Sequence, residues 1–154
     1  MTLLSADGID ALGAKGKRPK VAAVYTLFSH RTHAHVLLEN HLEKYYFNGK
    51  KIDPGVEIVS FYADQRATSG DMTDEVAKQY KIPVYKTIKD ALTLGGDSLA
   101  VDAVLSIGEH GNYPVNKFGQ REYPRKRFFD EIMSVMKASK KFVPVFNDKS
   151  VSSL

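Results

Sequence analysis

Five short apolar segments alternate along this chain with segments of helical periodicity, and this alternation limits the possible folds most strongly. The apolar segments have strand length and are residues 20–28, 56–62, 82–85, 101–107 and 142–146. The amphipathic segments between them are residues 33–47, 71–80, 87–94 and 125–140. Strands that alternate with helices form a parallel sheet, because each right-handed crossover returns the chain to the same edge. We therefore predict an α/β domain with helices on both faces of the sheet.

The first strand is a continuous apolar run, which is typical of a strand that is buried on both faces. Placing it at the centre predicts a Rossmann-like, three-layer domain with a five-stranded parallel sheet in the order 3-2-1-4-5. A chain of 154 residues suffices for one such domain, to which we assign residues 19–154. Residues 1–18 are rich in glycine and lack periodicity, so they are predicted to form a flexible leader.

The composition excludes several classes of function. The chain has no cysteine, so disulfides, thiolate metal sites and cysteine nucleophiles are absent. Lysine and arginine number 22 against 18 acidic residues, and the basic residues are scattered without interleaved aromatic side chains. This pattern permits a phosphorylated or acidic ligand but does not predict a nucleic-acid partner. No apolar run approaches the roughly 20 residues of a membrane span, so we expect no membrane partner and a cytoplasmic location.

The turn after the first strand, residues 26–35, lies where a dinucleotide-binding fold normally carries its glycines, yet it has none. Backbone donors at the following helix start, together with Leu27, Ser29, Arg31 and Thr32, could still hold a phosphate group. The alternative is ordinary helix capping by Ser29 or Thr32. His30, His33 and His35 lie in this turn, but His33 and His35 are two residues apart and so point to different faces of a helix, and we predict no metal site.

Four segments follow the strands and are expected to meet at the carboxyl edge of the sheet, where such folds bind ligands. They are residues 27–35, 63–66, 108–111 and 147–149. Asp64 is predicted to accept the ribose hydroxyls of NAD, whereas Arg66 would meet the 2′-phosphate of NADP, and Gln65 belongs to the same candidate site. The alternative for Asp64 is to cap the next turn.

The segment 108–111 follows the fourth strand and is bounded by glycines that allow a sharp bend. Gly108 and Glu109 are predicted to contact the cofactor, and Glu109 with His110 could form an acid–base pair. A bend without a ligand is the alternative.

Three basic residues, 125–127, begin the last predicted helix, where positive charge opposes the helix dipole. They either contact an anion or acidic neighbour or are solvated.

Four sequence motifs, taken together, are similar to those of a known protein family. They are residues 79–85 (QYKIPVY), 87–92 (TIKDAL), 101–104 (VDAV) and 143–149 (VPVFNDK). In this order they resemble the nucleotide-binding half of the glucose-fructose oxidoreductase and inositol dehydrogenase family (Gfo/Idh/MocA), over residues 19–150. The glycine-rich turn of that family is replaced here, the proline expected after Lys149 is a serine, and residues 112–124 form a longer link.

The resemblance implies an NAD(P)-dependent sugar or polyol dehydrogenase in which Lys149 corresponds to the active-site lysine and His110 lies near the substrate. Members of the family add a C-terminal domain that holds the substrate and builds the oligomer, and this chain ends where that domain would begin. We therefore expect a domain that binds NAD, NADP or another phosphorylated ligand and lacks turnover by itself. The alternatives are a dehydrogenase completed by a partner chain, and a non-catalytic subunit-interaction domain with a degenerate site. Self-association is also expected, because large apolar surfaces seldom stay uncovered.

Overall fold

A computed structural model describes residues 17–150, so most of the predicted leader lies outside the described residues. The strands are β1 (Lys20–Tyr25), β2 (Tyr45–Phe47), β3 (Lys50–Ile52), β4 (Glu57–Ala63), β5 (Val84–Tyr85), β6 (Ala103–Ile107) and β7 (Val145–Asn147). The helices are α1 (His33–Leu42), α2 (Thr73–Tyr80), α3 (Ile88–Thr93) and α4 (Arg125–Ala138).

The main sheet has five strands in the order β5-β4-β1-β6-β7, and every pair in it is parallel. The predicted α/β class and parallel sheet are thus confirmed. When the five strands of this sheet are numbered along the chain without β2 and β3, their order is the predicted 3-2-1-4-5. The strand labels differ because β2 and β3, which form a separate sheet, were not expected. The central strand β1 is buried from Val21 to Tyr25, as its apolar run predicts.

Two apolar cores confirm the three-layer arrangement. On one face, α1 and α2 cover a core that includes Tyr25, Leu38 and Phe61. On the other face, α3 and α4 cover a second core, to which α4 contributes a stripe of buried residues, namely Phe128, Ile132, Val135 and Met136. The predicted cap of α3 is also observed, because the Thr87 hydroxyl accepts a hydrogen bond from the Asp90 N–H at 3.0 Å.

The prediction of one helix over residues 33–47 is wrong in its second half. The helix α1 ends at Leu42, and Tyr45–Phe47 pairs antiparallel with Lys50–Ile52 as a small hairpin. The connecting Asn48 and Gly49 have φ of 48° and 74°, as a two-residue type I′ turn requires. Tyr45 and Tyr46 follow Leu42 by three and four residues and therefore continued the apolar stripe of the predicted helix. The Asn-Gly pair between aromatic and lysine-rich segments is instead a hairpin signal.

Several strand bounds also differ from expectation: β4 is shifted by one residue, β5 begins at Val84 rather than at 82, β6 begins at Ala103 rather than at 101, and β1 and β7 are shorter than predicted. The strand β1 stops at Tyr25 because its neighbour β6 ends at the paired Ile107. The last strand begins only at Val145, since Pro144 has no N–H to donate, although its carbonyl accepts from the Val104 N–H at 3.0 Å. These differences leave the carboxyl edge of the sheet where the alternating pattern predicts it.

Candidate functional site at the carboxyl edge

The segments that follow β1, β4, β6 and β7 contact one another at one edge of the sheet. The Thr26 hydroxyl, after β1, donates to the Glu109 carbonyl, after β6. The His33 Nδ1 lies 2.6 Å from Asp148 Oδ2, which joins the start of α1 to the end of β7. The Gln65 N–H, after β4, donates to the Thr26 carbonyl at 2.8 Å. The four predicted segments therefore meet, although their roles toward a ligand stay predictions.

The start of α1 carries no side-chain cap, so the capping alternative for Ser29 and Thr32 is not realised. The Thr32 hydroxyl instead donates to the Ser29 carbonyl at 2.7 Å, and it also lies 3.3 Å from the Leu27 carbonyl. Among residues 17–150, Arg31 has no ion-pair partner, and it is exposed. The first N–H groups of a helix have no partner within the helix, so this end can receive an anion.

Asp64 accepts hydrogen bonds from three side chains. Its carboxylate receives the hydroxyls of Tyr62 and Tyr113, each at 2.7 Å, and the Arg127 guanidinium at 2.5 Å. Burial acts against ionisation, yet these three donors hold the pKa of Asp64 below its usual range. Burial and the neighbouring Asp64 raise the pKa of Tyr113. Asp64 thus ties β4 to α4 and to the long link, and its ribose role stays a prediction.

Gln65 and Arg66 also form contacts within the protein. The Gln65 amide donates to the Asn112 carbonyl and accepts from the Asn112 N–H, both at 2.8 Å. The Arg66 guanidinium pairs with Asp74 on the exposed side of α2. Any cofactor contact by these two residues would compete with those partners.

Glu109 binds Arg125 rather than His110, so the expected Glu109–His110 acid–base pair does not form. The Glu109 carboxylate lies 2.5 Å from the Arg125 guanidinium, which also donates to the Gly108 carbonyl at 3.0 Å. A Cβ on Gly108 would stand 2.7 Å from Arg125 Cγ, so this glycine allows the arginine to pack. The basic start of α4 therefore meets acidic neighbours, through Arg125 here and through Arg127 at Asp64.

Gly111 is expected to be the least replaceable glycine of this edge. Its φ is 103°, and a Cβ would stand 2.8 Å from Gln65 Oε1 and 2.9 Å from Tyr113 Cε2. We expect Gly111→Ala to lower the free energy of unfolding by about 2–3 kcal/mol, because both the strain and the Gln65 contact contribute. Gly55→Ala is the matched control, since its φ is 71° but its Cβ would meet nothing within 4 Å. Equal losses in urea unfolding would contradict this account.

The predicted catalytic residues lie in different surroundings. His110 packs its ring against His33, with 4.8 Å between ring centroids, and its buried Nε2 has no partner among the described residues. Lys149 is exposed and forms no ion pair within residues 17–150. Asp148, beside that lysine, has instead a specific partner in His33. Sequence analysis missed this pairing because no local pattern connects two residues that are 115 positions apart.

The part of the chain that the structure describes contains two cavities, of which the first borders this edge and the second is remote from it. One, of about 190 Å³, lies between α1 and α2 and includes Phe28 and His35 in its lining. The other, of about 350 Å³, lies near the amino end of β4 and is lined in part by Arg18 and Lys44.

Within residues 17–150, no three His, Asp or Glu side chains are grouped so that they could hold a metal ion. Nor is any helix in that range long and apolar enough to cross a membrane.

The fold and this edge define an α/β domain of Rossmann-like architecture. Comparisons with protein-family models, with curated proteins and with solved structures find no match. The resemblance to the sugar dehydrogenases therefore depends on the sequence motifs alone.

Proposed function

We propose that this domain binds a phosphorylated ligand, NAD or NADP in the first instance, at the carboxyl edge of its sheet. Without a further domain or a partner chain it would not complete a dehydrogenase reaction. A cytoplasmic location belongs to the same proposal.

The start of α1 supports this proposal most strongly. The chain leaves β1 toward the face covered by α1 and leaves β6 toward the face covered by α4, so the strand order reverses between them. Ligands of open parallel sheets bind in the crevice at such a reversal. Here that crevice adjoins the start of α1, which has no side-chain cap, and the exposed Arg31, which has no ion-pair partner within residues 17–150. The free backbone donors of α1 and the guanidinium of Arg31 fit a phosphate group.

The other predicted contacts limit how a dinucleotide would bind. The carboxylate of Asp64, which would favour NAD, already accepts three hydrogen bonds, and Arg66, which would favour NADP, is paired with Asp74. The turn after β1, residues 26–35, also lacks glycine. A phosphorylated ligand smaller than a dinucleotide would therefore fit the start of α1 and Arg31 as well. Oxidation of a sugar or polyol, with Lys149 and His110 as catalytic residues, follows from the family resemblance and would need a substrate-holding domain.

A second candidate function is that of a subunit-interaction domain with a degenerate site. Phe142 and Phe146, before and within the edge strand β7, are 62% and 52% exposed. A sheet edge bearing exposed aromatic side chains is a common place for another chain to pair. Self-association through the edge strand β7 would be compatible with either function.

Calorimetric titration with NAD, NADP and ADP tests the proposal. We expect Arg31→Ala to weaken binding about tenfold, because a charge-assisted hydrogen bond to phosphate is lost. The control is Lys137→Ala, which removes the same charge from an exposed position in the last turn of α4. No heat from any of the three ligands at millimolar concentration would contradict nucleotide binding and favour the second candidate.

A further inference from the structure

The pair formed by His33 and Asp148 fixes the orientation of one imidazole at the carboxyl edge. Its nitrogen and oxygen are 2.6 Å apart, and the Asp148 side chain is only 14% exposed. A carboxylate accepts hydrogen bonds and cannot donate them, so Nδ1 of His33 must carry the proton. In the neutral imidazole, the second nitrogen, Nε2, is then an acceptor.

His110 packs against this imidazole from the segment after β6. The two rings meet edge to face at 68°, and the buried Nε2 of His110 has no partner among the described residues. A buried polar atom without a partner is unusual in native proteins and commonly indicates a water or ligand contact. Two imidazoles with available nitrogens are therefore in contact at the start of α1.

We propose that His33, oriented by Asp148, contacts a hydroxyl group of the ligand, and this inference rests on the proposed phosphate site. A hydroxyl can donate to the lone pair of Nε2, whereas a fully ionised phosphate has no proton to donate. The phosphate then binds at Arg31 and the first N–H groups of α1, and the hydroxyl binds two residues further on at His33. The ligand class is consequently a phosphate with adjacent hydroxyl groups, from either a sugar phosphate or the ribose phosphate of a nucleotide.

Nuclear magnetic resonance of ¹⁵N-labelled histidine tests the inference on the unmodified protein at about pH 8, which is above the pKa of about 6.5 of a free imidazole in water. Long-range ¹H–¹⁵N spectra identify which nitrogen of His33 carries the proton, and we expect Nδ1. Ribose 5-phosphate should shift the Nε2 signal of His33, whereas methyl phosphate, which at this pH carries neither a proton nor a hydroxyl group, should shift only backbone amides at the start of α1. Titration with NAD under the same conditions distinguishes the two ligand sources by their relative affinities.

A pair of variants measures the contribution of the imidazole. His33→Phe should weaken ribose 5-phosphate binding about threefold to tenfold and leave methyl phosphate binding unchanged, as expected for one lost hydrogen bond. The control is His41→Phe, the same substitution in the last turn of α1.

The outcomes separate the two proposals. A proton on Nε2 of His33 would overturn the inference, and so would equal weakening of both ligands by His33→Phe. Shifts of the α1 amides with every phosphate, but none at His33, would keep the phosphate site and overturn the role of His33. If neither the α1 amides nor His33 shift with any probe, both proposals are overturned.

Discussion

Replacing Asp64 by alanine is expected to lower the free energy of unfolding by about 2–4 kcal/mol, measured by urea denaturation. Its carboxylate accepts from Tyr62, Tyr113 and Arg127, so the substitution leaves three donors without their acceptor. The matched control is Asp74→Ala, which breaks an aspartate–arginine pair that is largely exposed. Exposed pairs contribute about 0–1 kcal/mol, so similar losses in the two variants would contradict the account.

The effect of Asp64 should also depend on pH. Its hydrogen bonds lower the pKa of the folded state, so its contribution is present above the pKa of an unfolded aspartate, about 3.9. That contribution is lost as the pH falls through the lower pKa of the folded protein. The stability difference between wild type and Asp64→Ala should therefore be nearly constant around neutral pH and shrink below about pH 4.

Replacing Phe61 by alanine is expected to have the largest effect of the substitutions considered, a loss of about 3–5 kcal/mol. Its ring is fully buried in β4 and contacts Tyr25 and Phe28 edge to face, with centroids 5.6 and 6.3 Å apart. The substitution removes this apolar surface and leaves a cavity that neighbouring rings fill only in part. Because domains of this kind are stable by only about 5–15 kcal/mol, the variant should melt at a much lower temperature.

Phe146→Ala is the matched control for Phe61. The Phe146 side chain is 52% exposed, so its removal should cost less than about 1 kcal/mol. A loss of less than about 2 kcal/mol for Phe61→Ala would mean that Phe61 does not lie at the centre of the first core. A loss well above about 1 kcal/mol for Phe146→Ala would indicate that Phe146 is covered in solution, as the subunit-interaction alternative requires.

The fold was predictable because its strongest signals are local. The apolar run of β1 and the stripe of α4 each identify an element and its buried face without long-range information. The alternation of elements then dictates a parallel sheet. The hairpin of β2 and β3 was missed because Tyr45 and Tyr46 fit both a helical stripe and a strand, and the Asn-Gly pair was interpreted as a helix end.

The candidate site was predictable only to the level of segments. The parallel topology determines which ends of the strands lie at the same edge of the sheet, but the side-chain partners there depend on distances across the fold. Asp64 with Arg127 and His33 with Asp148 join residues 63 and 115 positions apart. The one sequence signal for such partners was the basic start of α4, where charge that opposes the helix dipole left three alternatives open, namely an anion, an acidic neighbour or a solvated helix start.

Backbone amide shifts upon titration with NADP provide the most direct test of ligand binding at the carboxyl edge. We predict that the amides of His33, Ala34 and Gly108 move together and saturate with one affinity. Absence of shifts at millimolar NADP would contradict the account. So would shifts confined to the opposite edge, around the cavity lined by Arg18 and Lys44.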